Sequence, residues 1–189
     1  METNAPTSKP ADMDCGCPSN SESTNEHRAK AADQHANCAV LTISDTRTEA
    51  DDKGGKLIRD ALQERGHHVA AYAIVKDEPD AIDQQLRAWL ADSGLHAIIT
   101  TGGTGIAKRD TTIEVVERLL DKKLDGFGEL FRMLSWSEVG SAAMLSRAIA
   151  GLAGETLVFA LPGSSNAVKL GMGKLIGPEL SHLVWERRR

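Results

Sequence analysis

Two acids, Asp77 and Asp110, and the loop Thr101-Gly102-Gly103-Thr104-Gly105 have the residue types for chemistry on a phosphorylated ligand. The loop ends an apolar run, Ala97 to Thr101, and a helical pattern starts near Thr111. Glycine lets the backbone turn and lets a ligand approach with no Cβ in the way. Loop amides backed by a helix N-terminus suit phosphate oxygens, and the Thr104 hydroxyl adds a donor. The spacing excludes two familiar loops. A Walker A loop needs Lys-Ser/Thr after its last glycine, and a dinucleotide loop needs glycine at position 108. Here Gly105 is followed by Ile106-Ala107-Lys108-Arg109.

The acids would repel a bare anion. Beside a phosphate cradle they make sense with a divalent cation between, because magnesium commonly takes one or two carboxylates plus substrate phosphates. Each has a plainer reading as a helix cap, Asp110 ahead of Thr111 and Asp77 ahead of Glu78-Pro79. Lys108 and Arg109 read equally as charges that neutralise phosphate and as ordinary solvated loop charges. Pro162-Gly163-Ser164-Ser165-Asn166 opens another helix and offers a second anionic or amide site, or simple capping. Ser44 and Asp45 end an apolar run; no His is in visible relay with Ser44, which argues against a nucleophilic hydrolase. Glu129 is a further candidate, with the plainer reading of an acid that opens a helix, and Ser146-Arg147 reads either as a pocket wall or as ordinary helix polar residues.

The elements that must position these residues follow from periodicity. Cys38 to Ile43, Val69 to Val75, Ala97 to Thr101 and Thr156 to Leu161 are apolar runs of strand length. Between them, Leu57, Ile58, Ala61 and Leu62, then Ile82, Leu86, Trp89 and Leu90, then Ile113, Val116, Leu119 and Leu120 recur at helical spacing. Gly66 sits at a C-cap position, Pro79 suits a first helical turn, and Thr111 with Glu114 has capping-box spacing. Asp125 to Glu129 breaks the pattern, Leu130 to Leu134 predicts a short helix, and Met144 to Gly151 predicts another with a glycine stop. A last helix runs through Leu170, Leu175 and Leu183. Strands alternating with amphipathic helices predict a three-layer α/β/α fold with a mostly parallel sheet. Ligands of such sheets sit beyond the carboxyl ends of the strands, and all four polar clusters fall there.

Residues 1–36 contain no Leu, Ile, Val, Phe, Tyr or Trp and are expected to be a disordered tail, leaving 37–189 as the domain. Cys15, Cys17, His27 and His35 do not match a usual structural zinc spacing. Three cysteines in 189 residues argue against a disulfide framework and fit a reducing compartment. A net charge of −5 implies no broad nucleic-acid face. Neither a membrane-length apolar run nor a secretory signal is evident, so a cytoplasmic protein without a membrane partner is expected.

Thr101-Gly102-Gly103-Thr104-Gly105 with Asp110, Gly126-Phe127-Gly128-Glu129, Leu145-Ser146-Arg147-Ala148 and Pro162-Gly163-Ser164 together resemble the MoaB and MogA proteins of molybdenum cofactor biosynthesis. The resemblance runs from about Cys38 to the last helix. It implies a molybdopterin-binding α/β domain, with Asp77 and Asp110 on the family's two essential acidic positions. Lys76 stands where the family often has proline, and a long insertion of some MogA chains is missing, so the likeness is closer to MoaB. For MogA it implies transfer of an adenylyl group from Mg-ATP to the molybdopterin phosphate with release of pyrophosphate. The alternative is a MoaB-type protein that binds molybdopterin without adenylating it. The implied assembly is a homotrimer or hexamer, with Leu130, Phe131, Met133 and Trp136 as interface candidates and other proteins of the pathway as partners.

Overall fold

A computed structural model of the chain describes Glu26, Ala31 and residues 34–187. In chain order the elements are β1 (Asn37–Ile43), α1 (Lys53–Gln63), β2 (His68–Val75), α2 (Pro79–Leu90), β3 (Ala97–Thr101), α3 (Thr112–Leu119), β4 (Lys122–Lys123) and α4 (Asp125–Val139). A 3-10 turn (Gly140–Leu145), β5 (Ile149–Ala153), β6 (Thr156–Leu161), α5 (Ser165–Gly171), a π-helical segment (Met172–Ile176) and α6 (Gly177–Glu186) complete it.

The six strands form one sheet in the order β2-β1-β3-β6-β5-β4. The β2-β1-β3-β6 half is parallel, with Val40 opposite Tyr72 and Ile99, and Ile99 opposite Phe159. β5 runs antiparallel to both β6 and β4. Successive side chains of a strand face opposite ways, so each strand feeds two cores. Cys38, Val40, Ile99, Phe159 and Leu161 pack under α1, α4, α5 and α6, against Ile58, Leu62, Phe131, Val168 and Leu180. Ala39, Leu41, Ile98, Val158 and Ala160 pack against Ile82 and Leu86 of α2 and Val115 and Val116 of α3. The result is the three-layer α/β/α arrangement that the alternation of runs predicts.

Four sequence readings are corrected. Residues 144–151 are not a helix: the 3-10 turn ends at Leu145 and β5 begins at Ile149. Gly151, read as a helix stop, is glycine because a Cβ there would run into the Lys122 carbonyl of β4. The segment 125–134 is not a break and a short helix but the start of a 15-residue helix, which buries Phe127, Gly128 and Phe131. Phe131 is fully buried, so of the four interface candidates it belongs to the core, while Leu130, Met133 and Trp136 are exposed. The capping box is also not formed: Thr111 is the N-cap of α3 without a side-chain cap bond.

Packing extends to the tail side of the boundary expected at Asn37. Ala31 and Ala36 are buried, the Ala36 N–H donates to His67 Nδ1 at 3.2 Å, and Ser181 Oγ donates to the Gln34 carbonyl at 2.8 Å. The remaining tail expectations, including those on Cys15, Cys17 and His27, lie outside the described residues. Among the described residues no helix is long and apolar enough to cross a membrane.

Candidate functional site

The parallel strands β1, β2, β3 and β6 end at one sheet edge, and their loops are bonded to each other there. The Ser44 N–H donates to the Val75 carbonyl at 2.9 Å, tying the loop after β1 to β2. Ser44 Oγ accepts from the amides of Thr46 at 3.3 Å and Arg47 at 3.2 Å, so this hydroxyl shapes its own turn. The Gly102 N–H donates to the Leu161 carbonyl at 3.1 Å and Thr101 Oγ1 to the Pro162 carbonyl at 3.1 Å, joining the loops after β3 and β6. Ser164 caps α5, accepting from the Ala167 N–H at 3.2 Å.

The glycine loop needs its glycines for space as well as conformation. Gly102 and Gly103 have φ of +106° and +60°. A Cβ on Gly102 would strike the Ile43 carbonyl. One on Gly103 would strike Thr112 Oγ1 and lie 2.8 Å from Asp77 Oδ1, and one on Gly105 would lie 2.6 Å from Asp110 Oδ2. The loop is thus wedged between the two acids. Asp110 does not cap α3. Its Oδ2 accepts from the Ala107 N–H at 2.8 Å, closing its own loop.

Asp77 is the strained member electrostatically. Its Oδ1 is buried without a hydrogen-bond partner, as is Thr112 Oγ1 beside it. Burial first, then the negative charges of Asp110 and Asp45, push the Asp77 carboxyl above its ordinary value against the pull of Arg109. Arg109 straps the acids' loops together. Its Nη2 lies 3.1 Å from Asp45 Oδ2, 2.9 Å from Glu78 Oε1 and 3.5 Å from the Asp77 carbonyl. The Asp77 N–H in turn donates to Asp45 Oδ1 at 3.3 Å.

The structure therefore brings together Ser44, Asp45, Asp77, Thr101 to Gly105, Asp110, Pro162, Gly163 and Ser164. Ser165 and Asn166 continue into the first turn of α5, where Asn166 is exposed. Glu129 is exposed on α4 and Ser146 is half-buried ahead of β5. Among the described residues no hydrogen bond or ion pair links either side chain to the glycine loop. Its link to that side of the molecule is Arg147, whose Nη1 donates to the Gly105 carbonyl at 2.9 Å while Nη2 pairs with Glu114.

Sequence reasoning passed over Asp52 and Arg47. Asp52 is buried at the N-cap of α1, accepting from Thr42 Oγ1 at 2.5 Å, Tyr72 Oη at 2.8 Å and the Gly55 amide at 3.0 Å. Burial alone would raise its carboxyl; these three bonds and Arg47 outweigh that and hold it below its ordinary value. Asp52 lies 3.6 Å from Arg47, whose Nη2 donates to the Gly163 carbonyl at 3.2 Å. The sequence does carry a signal for Asp52: Asp directly ahead of the helical run that starts at Lys53 is a favoured N-cap type.

Fold and site together define a three-layer α/β/α domain whose polar loops gather at the carboxyl edge of its parallel strands. Residues 39–182 match the family model described as a probable molybdopterin binding domain. Over 165 residues the chain is 56% identical to molybdenum cofactor biosynthesis protein B of Staphylococcus carnosus (strain TM300), covering 86% of this chain and 96% of that one. A crystal structure of a molybdenum cofactor biosynthesis protein B superimposes with a TM-score of 0.80 at 53% identity, covering 82% of this chain and 98% of the other. The tungsten cofactor synthesizing protein MoaB from Pyrococcus furiosus gives 0.74 at 42% identity, over 82% and 98%. The chain belongs to the MoaB/MogA family of molybdenum cofactor biosynthesis proteins, and its relatives named above are of the MoaB type.

Proposed function

We propose that this chain binds molybdopterin as a MoaB-type protein, with the ligand's phosphate on the amides of Gly103 to Gly105. The observation that carries this is the loop itself. Three glycines are packed so tightly against Ile43, Asp77, Thr112 and Asp110 that no side chain fits, which leaves backbone N–H groups as the surface a ligand meets. Ser44, Asp45 and the Pro162 to Asn166 turn would line the same edge, and Glu129 and Ser146 the side toward α4. Cys38, a free and buried thiol, is compatible with a cytoplasmic location.

A second reading, adenylyl transfer, is favoured by one specific feature, the Asp77 and Asp110 carboxylates on either side of that loop. The residues fit magnesium: both acids offer hard oxygen donors, and Asp77 Oδ1 lacks any protein partner. Among the described residues no three His, Cys, Asp or Glu side chains form a protein-only metal site, so phosphate oxygens would complete the shell. Magnesium held there would supply charge neutralisation for a triphosphate. In this reading a molybdopterin phosphate oxygen attacks the α-phosphorus of ATP. A new P–O bond forms, the bond between α- and β-phosphates breaks, and pyrophosphate leaves. The test is equilibrium binding of molybdopterin, followed by addition of Mg-ATP and assay of pyrophosphate. Saturable binding without pyrophosphate supports the first reading alone, pyrophosphate release supports the second, and no binding overturns both.

A further inference from the structure

Arg47 stands in the loop after β1 and reaches across the sheet edge to the loop after β6. Its own N–H is fixed on Ser44 Oγ at 3.2 Å. Its Nη1 lies 3.6 Å from Asp52 Oδ1, and its Nη2 donates to the Gly163 carbonyl at 3.2 Å. A Cβ on Gly54 would lie 3.4 Å from Nη1, so the guanidinium rests on the first turn of α1. The N-terminus of a helix disfavours a cation. Asp52, buried at the N-cap, offsets that with its own charge. Hydrogen bonds from Thr42, Tyr72 and the Gly55 amide hold the carboxylate still. A rigid anchor therefore fixes one side of a half-buried guanidinium, whose other side holds a backbone carbonyl.

That carbonyl matters because of what Gly163 leans on. A Cβ on Gly163 would lie 3.2 Å from Gly102 Cα and 3.6 Å from its nitrogen, so the turn after β6 sits on the first glycine of the loop. The Gly102 N–H donates back to the Leu161 carbonyl at 3.1 Å. On β1, the Ile43 carbonyl is also packed against Gly102. The glycine loop is thus held between the ends of β1 and β6, and Arg47 joins those two ends directly. The planar fork of arginine serves two acceptors at once, which the point charge of lysine does not. We propose that Arg47 is a positioning residue for the bound phosphate. It makes no contact with the ligand; it clamps Gly163 onto Gly102, so that the loop amides are in place before the ligand arrives. A loop already ordered gives up less freedom on binding. The inference rests on the molybdopterin reading above and adds the residue that sets the loop's geometry from outside the acidic pair Asp77 and Asp110.

The test pairs amide hydrogen exchange at single-residue resolution, without ligand, with equilibrium binding of molybdopterin. In Arg47→Ala the Gly102 amide should exchange about tenfold faster and the affinity should fall about tenfold, the scale of one charge-assisted hydrogen bond. Ile99, in the middle of β3, should exchange as in the parent. Arg47→Lys should fall between the two in both readouts. Weaker binding with unchanged Gly102 exchange would overturn the inference, because the guanidinium would then act on the ligand itself. So would parent-like affinity in Arg47→Ala, or faster exchange at Ile99 as well as at Gly102, the sign of a general loss of structure. Should the alanine variant not fold, Arg47→Lys decides: intermediate values support the clamp and parent-like values overturn it. A parent protein that does not bind molybdopterin takes the functional reading down with the inference. A parent that binds, with variants that bind equally well, removes the role of Arg47 alone.

Discussion

Asp110 separates two roles that the sequence leaves open. A helix cap is replaced almost without cost by Asn, but this carboxylate bonds to Ala107 rather than to α3 and lies against Gly105. Asp110→Asn should therefore leave the melting temperature nearly unchanged and retain molybdopterin affinity, which the loop amides carry. If the chain adenylylates, the rate should fall about 10²-fold or more, the scale of a lost electrostatic group. Asp77→Asn should do the same, and the double variant should be far from additive. Gly103→Ala is the complementary case. Its φ of +60° and its contact with Asp77 and Thr112 leave no room for a methyl. It should cost about 1–3 kcal/mol of stability and abolish molybdopterin binding in an equilibrium assay. Parent-like binding by Gly103→Ala would move the phosphate to another loop. The loop and the acids were legible in the sequence because glycine and carboxylate identities carry their own physical constraints. Arg109 and Arg47 were not read as ties between loops, because side-chain contacts 31 positions apart to Glu78 and 116 positions apart to the Gly163 carbonyl leave no local pattern.

At the scale of elements, the strands read most clearly where both faces are buried. β1, β3 and β6 are continuous apolar runs; β3 and β6 have the expected bounds, and β1 begins one residue earlier, at Asn37. β5, Ile149-Ala150-Gly151-Leu152-Ala153, has a composition that suits helix and strand alike; antiparallel pairing to β6 through the turn at Gly154 decides the matter. α4 was obscured because Gly126 and Gly128, helix-breaking by propensity, are tolerated in its first turns, where Phe127 and Phe131 anchor it. The segment before β1 carries a pH prediction. Burial first, then His35 and Arg65, lower the His67 pKa from its ordinary 6.5, and the neutral ring accepts the Ala36 amide. A group depressed in the folded state contributes stability above its unfolded pKa and loses it as pH falls through the folded value. The melting temperature should thus drop as pH is lowered below 6.5. In His67→Asn, whose amide oxygen still accepts, that part of the drop should vanish. An unchanged acid slope in the variant would assign it to the carboxylates, Asp52 foremost.

At the scale of the whole molecule, the side of α4 that turns away from the core is unlike the rest of the surface. Leu130, Met133, Trp136, Val139, Met144 and Leu145 are 46% to 76% exposed along the end of α4 and the 3-10 turn. A soluble protein seldom leaves such an apolar stretch open without a partner. We propose that the partner is further copies of this chain, in the trimer or pair of trimers that the family resemblance implies; closed cyclic symmetry is common among soluble oligomers. Sedimentation at micromolar concentration should then give about three or six times the 20.3 kDa chain mass. Replacing Met133 and Trp136 together by Glu puts two charges into the centre of the face while leaving Phe131 in the core. The double variant should sediment as a 20.3 kDa species and keep the far-ultraviolet spectrum of the parent. Because the glycine loop and both acids lie within one chain, that monomer should still bind molybdopterin. A parent protein that is monomeric would refute the assembly. A monomeric variant that folds but no longer binds would show instead that the copies complete one another's sites, with Arg132, which borders the apolar face, as the first residue to examine.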